Sequence, residues 1–306
     1  MATTVERPAV RGRARRSAQR SAPAGRGGRG ESSTKLTLYV LAGVLGVVVF
    51  VVPLIWAVLR AFQPNSVITS ASGLSSLSKL SVTNFQGLAG EGHILRAVGN
   101  SLVVAVSTAV LTTILATAAG YGFGRFRFRG SGLTFGLILL TLMIPFQAIL
   151  TPLFLELNAM GLTNSRLGLV LFYSTVNLPF GVFVMRTAFA SVPAALEEAA
   201  RVDGAGTLRT FTDVLRPLVV PGMATTALYA FLAAWTEFLG ALTFLTSENL
   251  YTLPVSLVNL QLGAYGEVNY GFLAAGAVIA MIPCVILFVA LQRYYVEGMA
   301  AGGVKG

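Results

Sequence analysis

The stretch Leu36–Leu59 reads LTLYVLAGVLGVVVFVVPLIWAVL, 24 residues that include no Asp, Glu, Lys, Arg or His. A helix needs about 20 predominantly apolar residues to cross the hydrocarbon core of a bilayer. Because lipid offers the backbone no hydrogen-bonding partner, a crossing segment must be a helix rather than an open strand. The stretch therefore predicts a transmembrane helix, and its length and long basic flank argue against a cleaved signal peptide.

Five further stretches reach or approach the same length. They are Ala97–Gly124, Leu133–Leu155, Leu167–Met185, Gly222–Trp235 with a continuation past Glu237 to Leu245, and Val268–Gln292. Prolines inside such segments are tolerated in membranes and mark kinks. The chain is therefore predicted to be an all-α polytopic membrane protein with six transmembrane helices.

The composition agrees with this class, and no constellation of residues suggests a catalyst. Hydrophobic residues make up 55% of the 306 residues and charged residues 11%, whereas soluble domains carry roughly 25% charged residues. One cysteine, Cys284, and one histidine, His93, exclude an internal disulfide and a cluster of such ligands. We expect no catalytic residue, no metal site and no cofactor on this chain.

Residues 1–35 differ from the rest. They hold nine Lys or Arg against two Glu, are rich in Gly, Ser, Ala and Pro, and show no apolar periodicity. We predict a disordered basic cytoplasmic tail, followed by a transmembrane domain over residues 36–306. The run GRGGRG at residues 25–30 resembles nucleic-acid-binding segments, but attraction to anionic membrane lipid is favoured, and no nucleic-acid partner is expected.

Orientation follows from the distribution of basic residues. With the N-terminus inside, the predicted cytoplasmic segments hold 18 Lys or Arg and the outer segments hold 4. Basic residues accumulate on the cytoplasmic side of membrane proteins. Both termini are therefore predicted to lie in the cytoplasm, with the chain crossing the cell membrane six times.

The predicted cytoplasmic loop Arg186–Pro221 has helical signals of its own. Ser191 suits the cap of a helix with Pro193 in its first turn, and Ala194–Val202 are good helix formers. Gly204 suits the left-handed residue that ends such a helix. The loop is therefore predicted to form a surface helix, a glycine hinge and a second short helix.

The second helix is predicted over Thr207–Leu215, and Pro217 begins the entry into span five. Small Ala199 and Ala200 allow close approach by a partner, and nearby charges would set its orientation. These charges are Glu197, Glu198, Arg201 and Asp203. The pattern alone leaves two interpretations open: a docking helix for a partner protein, or an amphipathic helix resting on lipid.

The spacing in this loop resembles a known family. Glu198-Ala199-Ala200, three residues, Gly204, nine residues, Val214 and then Pro217 is similar to the conserved loop of binding-protein-dependent ABC importer permeases. Other stretches resemble the carbohydrate branch of that family, the maltose-permease type. They are Asn100-Ser101-Leu102, Gly124–Gly130, Trp235–Phe238, Thr252–Val255, Gln292–Gly298 and Gly303–Gly306.

The resemblance implies a type I ABC importer permease fold over residues 36–306, acting as the transmembrane half of a sugar importer. It implies that the loop docks into a cleft of an ATP-binding subunit. The residues assigned to this coupling loop are Glu197, Glu198, Ala199, Ala200, Asp203, Gly204, Ala205, Phe211 and Pro217. The implied partners are a second homologous permease, two ATP-binding subunits that use the ATP, an extracytoplasmic sugar-binding protein and membrane lipid.

Four polar residues in or near the spans are candidates for lining a sugar pathway: Asn100, Gln147, Asn177 and Glu237. An ionisable group inside a membrane is a functional candidate. Two alternatives stay open. The amides serve equally well as hydrogen-bonding contacts between helices, and Glu237 falls where span five meets the outer boundary and water.

Rival functions are an ATP-independent secondary transporter or channel, an ABC permease for a solute other than sugar, and a membrane-embedded hydrolase. The first is disfavoured because no inverted internal repeat and no set of buried charges for ion coupling is evident in the sequence. The hydrolase lacks a nucleophile and base in proximity. The expected function is therefore a transport subunit rather than an enzyme.

Overall fold

The computed structural model describes residues 30–69, 80–91, 93–263 and 268–303, with side chains at 35–68, 80–90, 93–263 and 268–290. Most of the predicted tail, the loop around Ser75 and the side chains of the C-terminal stretches lie outside the described residues. Within these ranges the chain is helical and contains no strand. The first helix begins at Gly30, within the last residues of the predicted tail.

The helices follow one another in a simple order. They are α1 (Gly30–Ala61), α2 (Asn65–Thr69), α3 (Thr83–Glu91), α4 (His93–Arg125), α5 (Ser131–Thr141), α6 (Phe146–Ala159), α7 (Arg166–Ser191), α8 (Ala194–Val202), α9 (Thr207–Arg209), α10 (Arg216–Thr236), α11 (Leu239–Phe244), α12 (Leu253–Gln261) and α13 (Tyr270–Gly303). A π-helical segment, Thr210–Leu215, joins α9 to α10, and a 3₁₀ turn, Glu248–Leu250, precedes α12.

Five helices in the described ranges are long and apolar enough to cross a membrane. They are Lys35–Ala61, His93–Arg125, Arg166–Ser191, Thr207–Thr236 and Tyr270–Ala290. The pair α5 and α6 supplies a sixth crossing if it counts as one broken span. The described residues therefore contain five or six apolar spans, against the six predicted.

The predicted third span, Leu133–Leu155, is not a single straight helix. Its two halves meet at 98°. The break falls at Pro145, which has an extended ψ of 128°. Proline has no N–H for the helical ladder, and it disfavours helical backbone in the residue before it. The sequence therefore predicts a kink at Pro145, and the structure shows a sharper bend there.

The predicted fifth span also ends early. Helix α10 stops at Thr236, and Glu237 is extended with ψ of 132° before α11 begins. The continuation to Leu245 is therefore a separate short helix. At its other end the span begins earlier than predicted, because Thr207–Thr236 runs as one helical stretch.

Contacts divide the chain into two compact units, Met1–Val52 and Pro53–Gly306. In the first unit, the described side chains of α1 are almost all exposed, as apolar side chains facing lipid would be. The second unit contains the packed helices. Its core is formed around α4, α7 and α10, which contact one another along much of their lengths.

Small residues allow these three helices to approach closely. A side chain at Gly181 of α7 would come within 2.9 Å of Ala116 Cβ on α4 and of Thr226 Cγ2 on α10. Small residues at helix contacts are typical of membrane bundles, where packing rather than water drives association. A separate apolar cluster lies at the end of α4 that carries Arg125, and it includes Met185, Phe189, Val192 and Leu215. The short helix α8 begins two residues after Val192.

Candidate coupling site

Helix α8 occupies the range that the sequence predicts, Ala194–Val202, but its start differs. Pro193 is the N-cap residue and makes no side-chain cap bond. Ser191 belongs to the end of α7, and its hydroxyl donates to the carbonyl of Ala188 at 2.8 Å. The predicted Ser191 cap is therefore wrong, because α7 continues as a helix six residues beyond Met185.

The end of α8 is fixed by a pair of backbone hydrogen bonds. The N–H of Ala205 donates to the carbonyl of Ala200 at 2.9 Å, and the N–H of Gly204 donates to that of Arg201 at 3.0 Å. Gly204 has φ of +78°, which confirms the predicted left-handed residue. This arrangement is the Schellman motif, in which a glycine closes the helix and satisfies its last carbonyls.

Glu197 lies on the inward side of α8. Its Oε1 is 2.6 Å from Nε of Arg125, and the exposed fractions of the two side chains are 9% and 11%. Arg125 also donates from Nη2 to the carbonyl of Val192 at 2.8 Å. Glu197 was predicted to face a partner together with Glu198. The structure instead turns it toward its own chain, so that it attaches α8 to the end of α4.

The outward side of α8 and the following turn carry apolar residues. Val202 is 87% exposed and Leu208 is 76% exposed, with Leu196 also exposed. Glu198, Ala199 and Asp203 are exposed beside them. We call Leu196, Glu198, Ala199, Val202, Asp203 and Leu208 the docking face. Ala200, one turn along the helix from Leu196, is buried.

The predicted second loop helix is the beginning of the fifth span. Thr207–Arg209 passes into the π-helical segment and then into α10 without a break. Pro217, in the first turn of α10, cannot donate a backbone bond to Asp213. The N–H of Arg216 instead reaches back to Phe211. The wider turn therefore lies directly before Pro217, and π-helical turns are frequent at functional positions.

Phe211 packs inward. Its ring centroid is 5.5 Å from that of Tyr121 on α4 and 6.2 Å from that of Phe189 on α7. Pro217 is exposed, and Ala205 is half-buried. The nine predicted coupling residues therefore do not share one face. Glu198, Ala199 and Asp203 belong to the docking face, whereas Glu197, Ala200 and Phe211 pack toward the chain's own helices.

Asn100 is buried and binds the connection between α11 and α12. Its amide nitrogen donates to the carbonyls of Asn249 and Tyr251, both at 3.0 Å. The hydroxyl of the neighbouring Ser101 accepts from the N–H of Leu253 at 2.8 Å. These bonds hold the start of α12 against α4, at the end of α4 opposite Arg125.

Glu237 is half-buried and bonded, not simply solvated. One of its oxygens accepts a hydrogen bond from the hydroxyl of Tyr173 at 2.6 Å. Its carboxylate also accepts from the N–H groups of Gly240, at 2.9 and 3.0 Å, and Ala241, at 3.3 Å, and so caps α11. Asn177 is buried and donates to the carbonyl of Tyr173 at 2.7 Å. Tyr173 therefore lies between two of the predicted pathway residues.

Gln147 lies apart from this group. It is exposed and follows the bend at the start of α6. Among the residues that the structure describes, no group of three or more His, Cys, Asp or Glu could hold a metal ion.

Comparison with known proteins decides the family. Residues 113–300 match the family model described as "Binding-protein-dependent transport system inner membrane component". The chain belongs to this family. It is therefore an inner-membrane permease, a transport subunit of an ABC importer rather than an enzyme, with the ATPase on a separate subunit.

Individual relatives agree with this assignment. The permease is 32% identical to the trehalose transport system permease protein SugB of Mycobacterium tuberculosis, over 89% of this chain and 98% of that one. It is 34% identical to the arabinooligosaccharides transport system permease protein AraQ of Halalkalibacterium halodurans, over 84% and 91%. The fold matches a subunit of a bacterial ABC transporter for alginate import, with a TM-score of 0.75, 22% identity and coverage of 89% and 100%.

Two residues of the permease that sequence reasoning missed are Arg125 and Tyr173. In the sequence, Arg125 contributes to the count of basic residues and to the Gly124–Gly130 resemblance, and neither gives it a partner; nothing distinguishes Tyr173. No local signal could have found either, because each meets its carboxylate across more than 60 residues of sequence.

Proposed function

We propose that this permease forms half of the translocation pathway of an ATP-driven sugar importer and is coupled to ATP-binding subunits through α8. The main observation that supports this proposal is the docking face. Its apolar side chains are exposed on a helix whose opposite side is held by the buried pair of Arg125 and Glu197. A rigidly attached helix with an exposed apolar face is suited to binding a protein partner.

The charges on the docking face favour a protein over a lipid surface. Glu198 and Asp203 flank the highly exposed Val202. Carboxylates are repelled by the anionic cytoplasmic leaflet, whereas lipid-surface helices carry basic polar faces. A partner with an apolar cleft and a basic or polar group at its edge would match both features.

The proposed substrate is a sugar, in the range from disaccharide to short oligosaccharide. This rests on the substrates of related permeases, which include trehalose, arabinooligosaccharides, maltodextrin and diacetylchitobiose. Sugars need hydrogen-bonding groups along a wet path. Glu237 and Asn177, joined through Tyr173, are the polar group of the described spans that we propose contributes to that path.

The proposed assembly contains a second homologous permease, two ATP-binding subunits and an extracytoplasmic sugar-binding protein. A similar structure supports a binding protein in this arrangement: a bacterial alginate ABC transporter in complex with an alginate pentasaccharide-bound periplasmic protein. ATP would be used by the partner subunits, with no cofactor on this chain. The docking face would then lie in the cytoplasm together with both termini, as the distribution of basic residues predicts.

The mechanism follows from the attachment of α8. Movement of an ATP-binding subunit would displace α8, and the pair of Arg125 and Glu197 would pass the displacement to α4. The continuous helix Thr207–Thr236 would carry it to the region of Glu237. Alternation between inward-open and outward-open states would follow from these movements.

The experiment is to test Glu198→Arg in the permease co-expressed with its ATP-binding partner. Loss of one member of a desolvated charge pair costs roughly 2–5 kcal/mol, so retention of the partner on purification should fall more than tenfold. The variant should insert at normal abundance, because Glu198 is exposed. Uptake of labelled trehalose or maltodextrin should be lost.

A matched control is Glu248→Arg, which makes the same charge change on an exposed residue at the opposite end of α4. It should retain the ATP-binding partner. If Glu198→Arg also retains it and transports normally, α8 is not the coupling element. Uptake that persists with no ATP-binding partner present would instead support the secondary-transporter alternative.

A further inference from the structure

A polar cavity of about 480 Å³ lies beside the docking face, between the end of α4, the α4–α5 connection, α7 and α8. Four arginines and two glutamates line it, which gives the lining a net charge of +2. They are Arg125, Arg127, Arg186, Arg201, Glu197 and Glu198. Ser131, the first residue of α5, also lines the cavity.

Two of these arginines carry charge that no carboxylate offsets. The ion pairs at the cavity join Glu197 to Arg125 and, at 3.8 Å, to Arg201. Among the described residues, no carboxylate lies within ion-pair distance of Arg127 or Arg186. The guanidinium of Arg186 lies 4.0 Å from the ring centroid of Phe135, which holds its position while leaving its hydrogen-bond donors available. The cavity is therefore suited to an anion.

The surroundings indicate which anion. The connection between α4 and α5 alternates basic and aromatic residues, with Phe126 and Phe128 both exposed. Leu133, in the first turn of α5, is 71% exposed. Aromatic and basic side chains in this pattern are typical of the membrane interface, and the span α4 ends at this point. A charged headgroup in the cavity would thus have apolar surface beside it for its acyl chains.

We propose that this cavity binds the headgroup phosphate of an anionic phospholipid through Arg127 and Arg186. Guanidinium groups match phosphate with paired hydrogen bonds. Basic pockets between membrane helices on the cytoplasmic side bind anionic headgroups. The bound lipid would contact α4, α5 and α8 at once, beside the ion pair that attaches α8. Its presence would therefore link the lipid composition of the membrane to the position of the docking face.

The test compares binding of phosphatidylglycerol and phosphatidylcholine to the purified full chain in detergent, by native mass spectrometry. Phosphatidylglycerol should bind more tightly than the zwitterionic lipid. Arg127→Gln combined with Arg186→Gln should weaken its binding about thirtyfold, at about fivefold for each guanidinium contact to the phosphate that is lost. The matched control is Arg129→Gln with Arg209→Gln, which removes two exposed charges that do not line the cavity and should leave binding nearly unchanged.

Two further measurements test lipid binding at this cavity without relying on the double variant. Arg127→Gln alone alters an exposed side chain and should weaken binding about fivefold even if the double variant fails to fold. A photoactivatable residue in place of Ser131 should crosslink to phosphatidylglycerol and not to phosphatidylcholine. Equal binding of the two lipids, unchanged binding by Arg127→Gln, or displacement of the lipid by millimolar inorganic phosphate would overturn the assignment to an anionic phospholipid.

Discussion

Nε of Arg125, the last residue of α4, lies 2.6 Å from Oε1 of Glu197 in α8, and both side chains are about nine-tenths buried. The pair therefore joins a membrane-spanning helix to the short helix that carries the docking face. Burying two charges is costly, so the pair adds little net stability compared with apolar residues. Removing one partner alone, however, leaves the other charge buried without compensation.

The first prediction concerns this pair. Glu197→Gln should lower the free energy of unfolding by about 3 kcal/mol, because the guanidinium of Arg125 keeps its burial and loses its counter-ion. The measurement is the midpoint of thermal unfolding of the purified permease in detergent. The neighbouring change Glu198→Gln is the control, and it should leave the midpoint nearly unchanged because Glu198 is exposed.

A double variant separates the two contributions. Arg125→Met with Glu197→Leu removes both charges and should recover most of the lost stability, since apolar residues of similar volume replace a buried pair well. Equal midpoints for Glu197→Gln and Glu198→Gln would show that the pair does not hold α8 in place.

The second prediction concerns Gly204, whose φ of +78° ends α8. Gly204→Val should reduce retention of the ATP-binding partner, because a β-branched residue in this conformation is strained by about 1–3 kcal/mol. The cost is conformational and not steric, since a Cβ at Gly204 would meet nothing within 4 Å. Gly204→Asn should retain the partner, because asparagine tolerates the left-handed region.

Gly206→Val supplies the control for this position. Gly206 has φ of −71°, which other residues adopt freely, so the change should be tolerated. Retention is measured by co-purification of the two subunits. If Gly204→Val and Gly206→Val behave alike, the backbone conformation at Gly204 is not what orders the loop.

The third prediction concerns the bond between Tyr173 and Glu237. Tyr173→Phe should destabilise the permease by about 1.5–3 kcal/mol, since it removes a hydrogen bond to a carboxylate in a partly buried place. If Glu237 also contributes to the sugar path, the variant should raise KM for uptake. Tyr229→Phe is the control, because its ring is partly exposed and packs on Phe180 through the face that the change preserves. Equal unfolding midpoints for the two variants would contradict the prediction.

The fourth prediction concerns orientation. Reporter fusions after Arg129 and after Gly206 should both report the cytoplasm, and a fusion after Gly263 should report the outside. The reason is the accumulation of basic residues on the predicted inner segments. A cytoplasmic signal from the Gly263 fusion would exclude the six-span topology.

Features with a local cause could be predicted from the sequence. The extent of α8 follows from a run of good helix formers, and the conformation of Gly204 follows from the absence of a Cβ. The apolar runs follow from the requirements of lipid. Each of these features depends on residues that are close together in the sequence, so the sequence pattern is enough to predict it.

Other features depend on contacts that the pattern does not contain. The sequence predicts that the fourth span ends before Arg186. A charged residue interrupts an apolar run without ending the helix, so α7 continues to Ser191. Helical periodicity also cannot say which of Glu197 and Glu198 faces the chain itself, because the answer depends on Arg125, far away in sequence. At Pro145, composition does not distinguish a kink from the observed 98° bend.

Because Thr207–Thr236 is one continuous helical stretch, a movement at one end of the fifth span would be carried to its other end. At 1.5 Å per residue the helix is about 45 Å long, so a tilt of about 10° at the docking face would swing the far end by about 8 Å. The π-helical turn and Pro217 lie in the part of this stretch that adjoins α8. Under the proposed coupling, a small displacement at α8 would therefore become a larger one where Glu237 meets Tyr173.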